Sequence, residues 1–600
     1  MKVDKLLTIF AFVFLTCALG VIAKTGAATG YEISIYAAYP VYFWFFLITA
    51  FALGTLILIR QAFATKESRW WLAGVAVMLL SMTILLMLPY FRGYYGYDWY
   101  DTAGTVSYTR DIEFTGHPWA GDFYPALHVL FAALSRITGV PLNTIMLVSP
   151  AVLCFLFISG IFLLTKALGL SRRASLLSLA LAVTPFFGEQ VVVNPRVLAF
   201  NMFPLLLYLF FRSQTVNRSP FTILLIIVLV FSIPLHPING GLLIILVFAV
   251  LYISILLYRR VSLKSEGPVN GIPRAMGRNV GILIMLIASL WYVWYIQFQF
   301  FGNFIKGLAE IPNWMGSQAA LMQGWAEKAQ LTLADIGAIF LKLHGHNLLY
   351  LALAGVAIIY LVKKCKSRSP VESGLIFLMA VLMILFSILT IVAFFSAIRI
   401  EYWRVIPYAL MPAMILAGWF LDSTKSLRLK RFAFGGALTI VMAGFLIGTF
   451  NTYPSPWIES DNTQITHSAI KGVNWFSYHQ DDTLTVDPVV MSLDRVWGSV
   501  RGYTPMPPTI HQTLGAAPLP HFGYDNYSSY GGAYTEDHYV TLPAMAYGHY
   551  IKRIPNHPSI WLWTLADLEH LHNDPSLSLI YSNSGFEIFY AKGLAGEKGS

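Results

Sequence analysis

The feature that most constrains this chain is a series of thirteen apolar stretches, each close to the length of a membrane-spanning helix. A helix that crosses the hydrocarbon core of a bilayer needs about 20 mostly apolar residues. The stretches lie near residues 5–23, 40–59, 70–90, 143–165, 174–189, 197–211, 220–236, 239–258, 279–299, 346–362, 371–396, 405–421 and 432–450. This series predicts a polytopic α-helical membrane protein with about thirteen transmembrane helices.

The composition supports this fold class and excludes others. Hydrophobic residues make up 57% of the 600 residues and charged residues 12%, whereas soluble domains have about 45–50% apolar and about 25% charged residues. The net charge of +10 is explained by basic loops that orient a membrane protein, so no nucleic-acid partner is expected. The three cysteines, Cys17, Cys154 and Cys365, have no zinc-site or disulfide spacing.

The distribution of basic residues predicts the orientation of the chain. With the N-terminus in the cytoplasm, 23 Lys and Arg residues fall in cytoplasmic segments and 10 in the opposite segments before residue 451. Cytoplasmic loops are enriched in Lys and Arg. We therefore expect a multi-pass plasma-membrane protein with a cytoplasmic N-terminus, an uncleaved first helix and an extracytoplasmic C-terminal region.

Composition divides the chain into four parts. Residues 1–90 hold the first helices, and 91–142 form a large extracytoplasmic loop that ends in an interfacial helix. Residues 143–450 form the transmembrane core, which includes an outer loop at 300–345 with surface helices. Residues 451–600 are rich in Pro, Gly, Tyr, His and Asp. Their short runs "LTVDPVVMSL" and "LSLIYSNSGFEIFYAKG" are typical of strands and predict a small extracytoplasmic α+β domain.

Carboxylates and aromatic side chains gather at the start of the first loop. The stretch "FRGYYGYDWYDTAGTVSYTRDIEF" contains Asp98, Asp101, Asp111 and Glu113. Any one of these could be a solvated surface group, and aromatic residues are common at membrane interfaces. Together, however, they are typical of a sugar site, in which rings stack on sugars and carboxylates accept hydrogen bonds from hydroxyl groups. A carboxylate can also act as a general base or bind a divalent ion.

Four cationic or imidazole side chains are predicted at outer helix ends. They are Arg196 in "VVVNPRVLAF", Arg399 and Arg404 in "SAIRIEYWRVIP", and His236 in "IPLHPINGG". Arginine suits phosphate because its planar guanidinium makes two parallel hydrogen bonds. The arginines could instead extend to the interface without a ligand, and His236 could be a structural helix-end residue.

The loop and the segments after it resemble a known family. The segments "YPALHVLFAALSRITGV" and "SPAVLCFLFISGIFLLTKALGLSRRASLLSLALAVTPFF" follow the carboxylate loop as in the polytopic GT-C glycosyltransferases, over roughly residues 90–260. The resemblance implies a sugar donor linked to dolichyl or undecaprenyl phosphate, with Asp98 as general base or metal-side carboxylate and Asp101 beside it. Either Asp98 or Asp101 would deprotonate the acceptor hydroxyl group. Arg196, Arg399, Arg404 and His236 would then hold the donor phosphate. A divalent ion, Mg²⁺ or Mn²⁺, would have Asp101, Asp111 and Glu113 as its ligands.

The leading hypothesis is therefore a membrane glycosyltransferase of the cell envelope. It would transfer a sugar to a lipid-linked glycan, a surface polysaccharide or a protein on the extracytoplasmic face. The alternative is a transporter or flippase for a lipid-linked or small polar substrate, which should place ionisable residues within its spans. A third hypothesis is a non-catalytic surface assembly or sensor protein.

Overall fold

The computed structural model describes most of the chain. It covers residues 2–185, 188–215, 218–263, 274–298, 301–302, 306, 317–364, 370–396, 401–423, 427–513 and 517–594. Within these residues we number 22 α-helices and six β-strands in chain order.

The first seventeen helices form an apolar bundle and its connections. They are α1 (Lys2–Thr25), α2 (Val41–Phe63), α3 (Trp70–Leu86), α4 (Leu88–Phe91), α5 (Asp101–Thr115), α6 (Ala126–Thr138), α7 (Leu142–Ala167), α8 (Arg172–Ala182), α9 (Pro195–Thr215), α10 (Arg218–Ser232), α11 (Leu243–Leu263), α12 (Arg274–Tyr295), α13 (Gln318–Lys328), α14 (Leu333–Lys364), α15 (Pro370–Phe395), α16 (Ile406–Asp422) and α17 (Leu427–Asn451). Strand β1 (Gly96–Tyr97) lies between α4 and α5.

The predicted multi-pass helical fold is confirmed. Eight of the described helices are long and apolar enough to cross a membrane, and five shorter apolar helices accompany them. Each of the thirteen predicted stretches coincides with a helix or part of one. Helix α14 is longer than predicted, because it begins at Leu333 and continues the surface segment 333–345 directly into the predicted span.

The fifth predicted span is only partly helical. Helix α8 has 11 residues, which at 1.5 Å per residue is about 16 Å, half the thickness of the hydrocarbon core. Arg172 at its start bonds the carbonyl of Gln61 near the end of α2. At the far end of the crossing, the backbone N–H of Val193 bonds Thr102 at the start of α5. A short buried helix and an irregular stretch therefore connect the two ends of the bundle.

The C-terminal region contains the predicted mixture of strands and helices. Its elements are β2 (Gln464–Ile465), α18 (His467–His479), β3 (Thr485–Pro488), α19 (Leu493–Arg501), α20 (Pro508–His511), β4 (His538–Pro543), α21 (His549–Arg553), α22 (Leu565–Asn573), β5 (Leu577–Asn583) and β6 (Phe586–Ala591). Four strands form one sheet in the order β3-β4-β6-β5. Strands β5 and β6 form the predicted hairpin, joined by Ser584 and Gly585.

The C-terminal region packs directly on the loop that precedes and includes α5. Strand β1 pairs with β2 in antiparallel fashion, and helix α19 crosses α5 at very short distance. A Cβ added to Gly498 of α19 would lie 2.1 Å from Ser107 Oγ, and one added to Gly502 would lie 2.6 Å from Asp111 Oδ1. Glycine is required at both positions because no side chain fits between the helices. This contact brings residues of α19 to the end of the bundle.

Candidate functional site

One polar cavity opens where the bundle meets the C-terminal region. Its volume is about 220 Å³. Its lining comes from α5, α6, the start of α9, the junction before α11, the segment before α16, and α19. The lining residues are Asp101, Gly104, Thr105, Tyr108, Tyr124, His128, Asn194, Pro195, Arg196, His236, Arg404 and Arg495. Four of the residues singled out in the sequence, Asp101, Arg196, His236 and Arg404, therefore converge at one place.

Asp101 and Arg196 form the centre of this cavity. Arg196 is 5% exposed, and its Nη2 lies 3.1 Å from Asp101 Oδ2 and 2.8 Å from Glu189 Oε2. Asn194 Nδ2 also donates to Asp101 Oδ2, at 3.1 Å. These contacts fix the guanidinium between two carboxylates, and the second oxygen of Asp101, Oδ1, is not part of them.

Two further arginines face the same space. Arg404 lies in a short 3₁₀ turn before α16, where its Nη2 donates to Glu401 Oε1 at 2.9 Å. Burial, and then the positive charge of Arg196, lower the pKa of Arg404 from its ordinary value. Arg495 enters from α19, with its Nε 3.5 Å from Asp494 Oδ2. The lining thus holds three guanidinium groups and one carboxylate. The other carboxylates that pair with these arginines, Glu189, Glu401 and Asp494, do not line the cavity.

His236 is positioned by a break between two apolar helices. The chain leaves α10 through a 3₁₀ turn and re-enters α11 through a π-helical turn at Pro237–Leu242. His236 Nδ1 accepts hydrogen bonds from the backbone N–H groups of Ile238 and Asn239, so the neutral ring carries its proton on Nε2. The break requires Gly240, because a Cβ there would lie 2.0 Å from the carbonyl oxygen of Ser232. The ring is therefore held by its own backbone at the cavity wall.

Asp98 lies beside the site but does not line the cavity. Its backbone has a φ of 67°, and its N–H donates to the carbonyl of Thr463 at 2.9 Å. The carboxylate accepts hydrogen bonds from the N–H groups of Tyr100 at 3.3 Å and Thr102 at 2.8 Å. Burial, and then the nearby charge of Asp101, raise the pKa of Asp98 to about 6. Backbone N–H groups at the start of α5 thus hold the carboxylate of Asp98, whereas Asp101 lines the cavity.

The three predicted metal ligands do not form a group. Asp101 and Asp111 lie ten residues apart on α5, which separates them by about 15 Å along the helix axis. Asp111 Oδ1 accepts from the N–H of Thr504 at 3.0 Å, and Glu113 pairs with Arg110 at 2.7 Å. Among the described residues, no three His, Cys, Asp or Glu side chains are grouped so that they could hold a metal ion. Helical geometry therefore separates Asp101 from Asp111 in this structure, and a metal site at these residues stays a prediction.

The aromatic residues of the first loop are mostly structural. Tyr94, Tyr97 and Trp99 are 2–3% exposed and belong to the hydrophobic core. Two other rings of the same loop, Tyr108 and Tyr124, line the cavity. The sequence predicts the sugar-stacking rings at the start of the loop, where aromatic residues are densest. The rings at the cavity come from the middle of α5 and the segment before α6.

Other lining residues had no recognisable sequence signal. Arg495 is separated from Asp101 by nearly four hundred positions and reaches the cavity only because α19 packs on α5. His128 belongs to the polar side of the predicted interfacial helix, and nothing in its spacing from Asp122 matches a known motif. Arg399, the remaining predicted phosphate ligand, lies outside the described residues.

Neither a protein-family model nor a curated protein sequence matches the chain. Among solved structures, the chain is similar to ArnT from Cupriavidus metallidurans bound to undecaprenyl phosphate, with 13% identity and a TM-score of 0.46, over 88% of this chain and 99% of that one. It is also similar to the arabinofuranosyltransferase AftD from Mycobacteria, with 15% identity and a TM-score of 0.48, over 88% of this chain and 40% of that one. These identities and TM-scores do not assign the site, which is defined by this chain's own residues.

Proposed function

We propose that the chain is a membrane glycosyltransferase that uses a sugar donor linked to a polyprenyl phosphate. The observation that carries this proposal is the convergence of Asp101 with Arg196, Arg404 and Arg495 around one cavity at the end of an apolar bundle. The bundle accounts for the isoprenoid part of the donor, the arginines for its phosphate, and the carboxylate and tyrosines for the hydroxyl groups of a sugar. This set of groups matches the GT-C resemblance of the sequence.

The three arginines suit the charge that develops during transfer. When the bond between the sugar and the phosphate breaks, the electron pair leaves on a phosphate oxygen. Fixed cations that face this oxygen stabilise the transition state, and they do so with little reorganisation when their positions are already set. Arg196, Arg404 and Arg495 are each held in place by a carboxylate of their own: Glu189, Glu401 and Asp494.

The second reactant is a hydroxyl group of the acceptor, a lipid-linked glycan, a surface polysaccharide or a protein. Two groups at the cavity are able to take its proton: Asp101, which with Asp98 is one of the two carboxylates that the sequence offers for this role, and His128, which lies on α6. We place the reaction on the extracytoplasmic face, because the charge bias of the loops assigns this end of the bundle to that side. The transporter alternative is less favoured, because the charged groups collect at one end of the spans.

The test is a transfer assay on the purified full-length protein. Undecaprenyl phosphates carrying radiolabelled arabinofuranose, aminoarabinose or mannose would be incubated with cell-envelope glycolipids as acceptors. We expect the wild-type protein to transfer sugar from one of these lipid-linked donors. The transfer rate of Arg404→Gln should be lower by about 100-fold or more, because the loss of one preorganised hydrogen-bond donor to a developing anion has that effect. The control is Arg136→Gln, which changes an exposed arginine outside the cavity.

Two results would contradict the proposal. One is the absence of transfer from every donor by a folded wild-type protein. The other is equal activity of the Arg404→Gln and Arg136→Gln variants. Movement of an intact lipid-linked sugar across vesicles, without transfer, would favour the flippase alternative.

A further inference from the structure

A buried histidine and carboxylate form a pair in the cavity wall. His128 of α6 is fully buried, and its Nδ1 lies 2.6 Å from Asp122 Oδ2. Asp122 is 6% exposed and is fixed in turn, because its Oδ1 accepts from the N–H of Tyr124 at 3.2 Å. The imidazole ring lines the same cavity as Asp101 and the three arginines.

The other ring nitrogen, Nε2, has no hydrogen-bond partner among the described residues. The carboxylate accepts the proton of Nδ1, so in the neutral ring Nε2 carries the lone pair. A buried acceptor without a partner costs about 1–3 kcal/mol, and such groups in native structures usually have a ligand, water or catalytic role. We therefore expect a ligand in the cavity to donate a hydrogen bond to this nitrogen.

The two cavity groups that could take a proton differ in their contacts. Asp101 Oδ2 already accepts from Asn194 and Arg196, and these contacts leave Oδ1 as the oxygen of this carboxylate that can face a hydroxyl group. His128 Nε2 has no such contact, and Asp122 behind the ring stabilises the imidazolium that would form. Histidine is also the side chain that exchanges protons most readily near neutral pH. Asp101 is thus suited to orient Arg196 and bind hydroxyl groups, and His128 to move a proton.

We propose that His128 Nε2 takes the proton of the acceptor hydroxyl group; this inference rests on the proposed glycosyl transfer. In the step, the acceptor oxygen forms a bond to the anomeric carbon, and the bond from that carbon to the phosphate oxygen breaks. The electron pair of the broken bond stays on the phosphate, which the arginines hold. The hydroxyl proton passes to Nε2, Asp122 stabilises the charged ring, and the proton then leaves to solvent.

Several groups around the ring affect its proton exchange. Tyr108 of α5 stacks on it with a ring-centre distance of 5.2 Å, and Tyr124 lies at 5.8 Å. The charged or titratable groups that share the cavity are Asp101, Arg196, His236, Arg404 and Arg495. Asp122 contacts Nδ1 of the ring directly, whereas the three cations share the cavity with the ring.

The experiment compares His128→Gln and Asp122→Asn with the wild type in single-turnover transfer, using the undecaprenyl-phosphate sugar that the wild-type protein accepts. We expect donor binding within about threefold of wild type, and transfer reduced by about 10²–10⁴-fold, the usual contribution of a general base. The loss of transfer rate in the variants should be smaller with a fluorinated acceptor, because its more acidic hydroxyl group depends less on a general base. The fall in wild-type rate at acidic pH should be absent in His128→Gln. His117→Gln, an exposed histidine of the same loop, is the matched control.

The outcomes separate this inference from the proposed function. Wild-type transfer with an equally active His128→Gln variant would overturn the role of His128 and leave the glycosyltransferase standing. A loss of donor binding that matches the loss of transfer, or an equal loss with both acceptors, would also overturn it. If His128→Gln does not fold, Asp122→Asn decides, since an amide can still bond Nδ1. A folded wild-type protein that transfers no sugar would end both proposals.

Discussion

Gly104 of α5 lies directly beneath the guanidinium of Arg495. A Cβ added to Gly104 would lie 2.2 Å from Arg495 Nη1, so the absence of a side chain on α5 is what lets this arginine reach the cavity. The atom that a Cβ would displace is the end of a flexible side chain. The contact therefore controls where a charge lies and contributes little to the folding of α5.

We predict that Gly104→Ala moves Arg495 away from the cavity and lowers transfer by about tenfold to 100-fold, since one preorganised cation is lost. The apparent melting temperature should hardly change, because alanine favours the helix. Kinetic assays and thermal unfolding in detergent would measure the two effects. Gly355→Ala is the control, because a Cβ at that helical position meets nothing within 4 Å. A fully active Gly104→Ala variant would show that the position of Arg495 is unimportant.

Arg196 neutralises two carboxylates, and its removal should affect stability as well as activity. In Arg196→Gln, Asp101 and Glu189 lose their shared partner, and two carboxylates whose side chains are 46% and 24% exposed are left without its positive charge. We expect a lower melting temperature and loss of transfer. The double variant Arg196→Gln with Glu189→Gln should regain much of the stability while staying inactive. If the double variant is no more stable than Arg196→Gln, the ion pair between Arg196 and Glu189 does not contribute to stability.

Thr102 connects α5 to the irregular stretch before α9. Its hydroxyl oxygen accepts from the backbone N–H of Val193 at 2.9 Å, and both residues are buried. Thr102→Val leaves this N–H without a partner, which costs about 1–3 kcal/mol. Thr102→Ser keeps the hydroxyl group and should stay close to wild type. Thermal unfolding of the two variants checks the prediction, and equal melting temperatures would contradict it.

Asp98 should make stability depend on pH in a defined direction. Its pKa is raised to about 6 in the folded protein from about 3.9 in an unfolded chain, so the folded state binds more protons between these values. Stability should therefore fall as pH rises from about 4 to about 6, and the loss should be complete above pH 6. Asp98→Asn retains an oxygen acceptor for one backbone N–H and carries no charge, so its melting temperature should vary less over this range. Parallel slopes for the two proteins would refute the assignment.

Much of the fold could be predicted from the sequence because the bilayer imposes one simple rule of length and polarity. The same rule places Arg196, His236 and Arg404 at one end of the bundle, because helices that alternate in direction bring every second connection to the same side. Their convergence with Asp101 follows from this alternation. The departure at α8 has a physical reason as well: other helices bury this segment, so it does not need a full-length apolar helix.

The rest of the site depends on packing that has no local signal. Asp98 and Asp101 are the same residue type in the same short stretch, so the sequence does not distinguish them. In the structure the backbone of Asp98 is left-handed, and its carboxylate accepts from the N–H groups of Tyr100 and Thr102. Arg495 becomes part of the site through the glycine contacts between α5 and α19. Such contacts depend on pairs of residues far apart in the chain, which a single sequence does not reveal.

Because Arg495 comes from α19, the cavity is assembled from distant parts of the chain. A ribosome completes the helical bundle well before it reaches α19, so the early chain holds Asp101, Arg196 and Arg404 without their fourth member. The cavity becomes complete only after α19 has been made and has packed against α5. A chain that ended before α19 would therefore lack one of the three guanidinium groups of the cavity, and we expect its transfer rate to fall at least as far as that of Gly104→Ala.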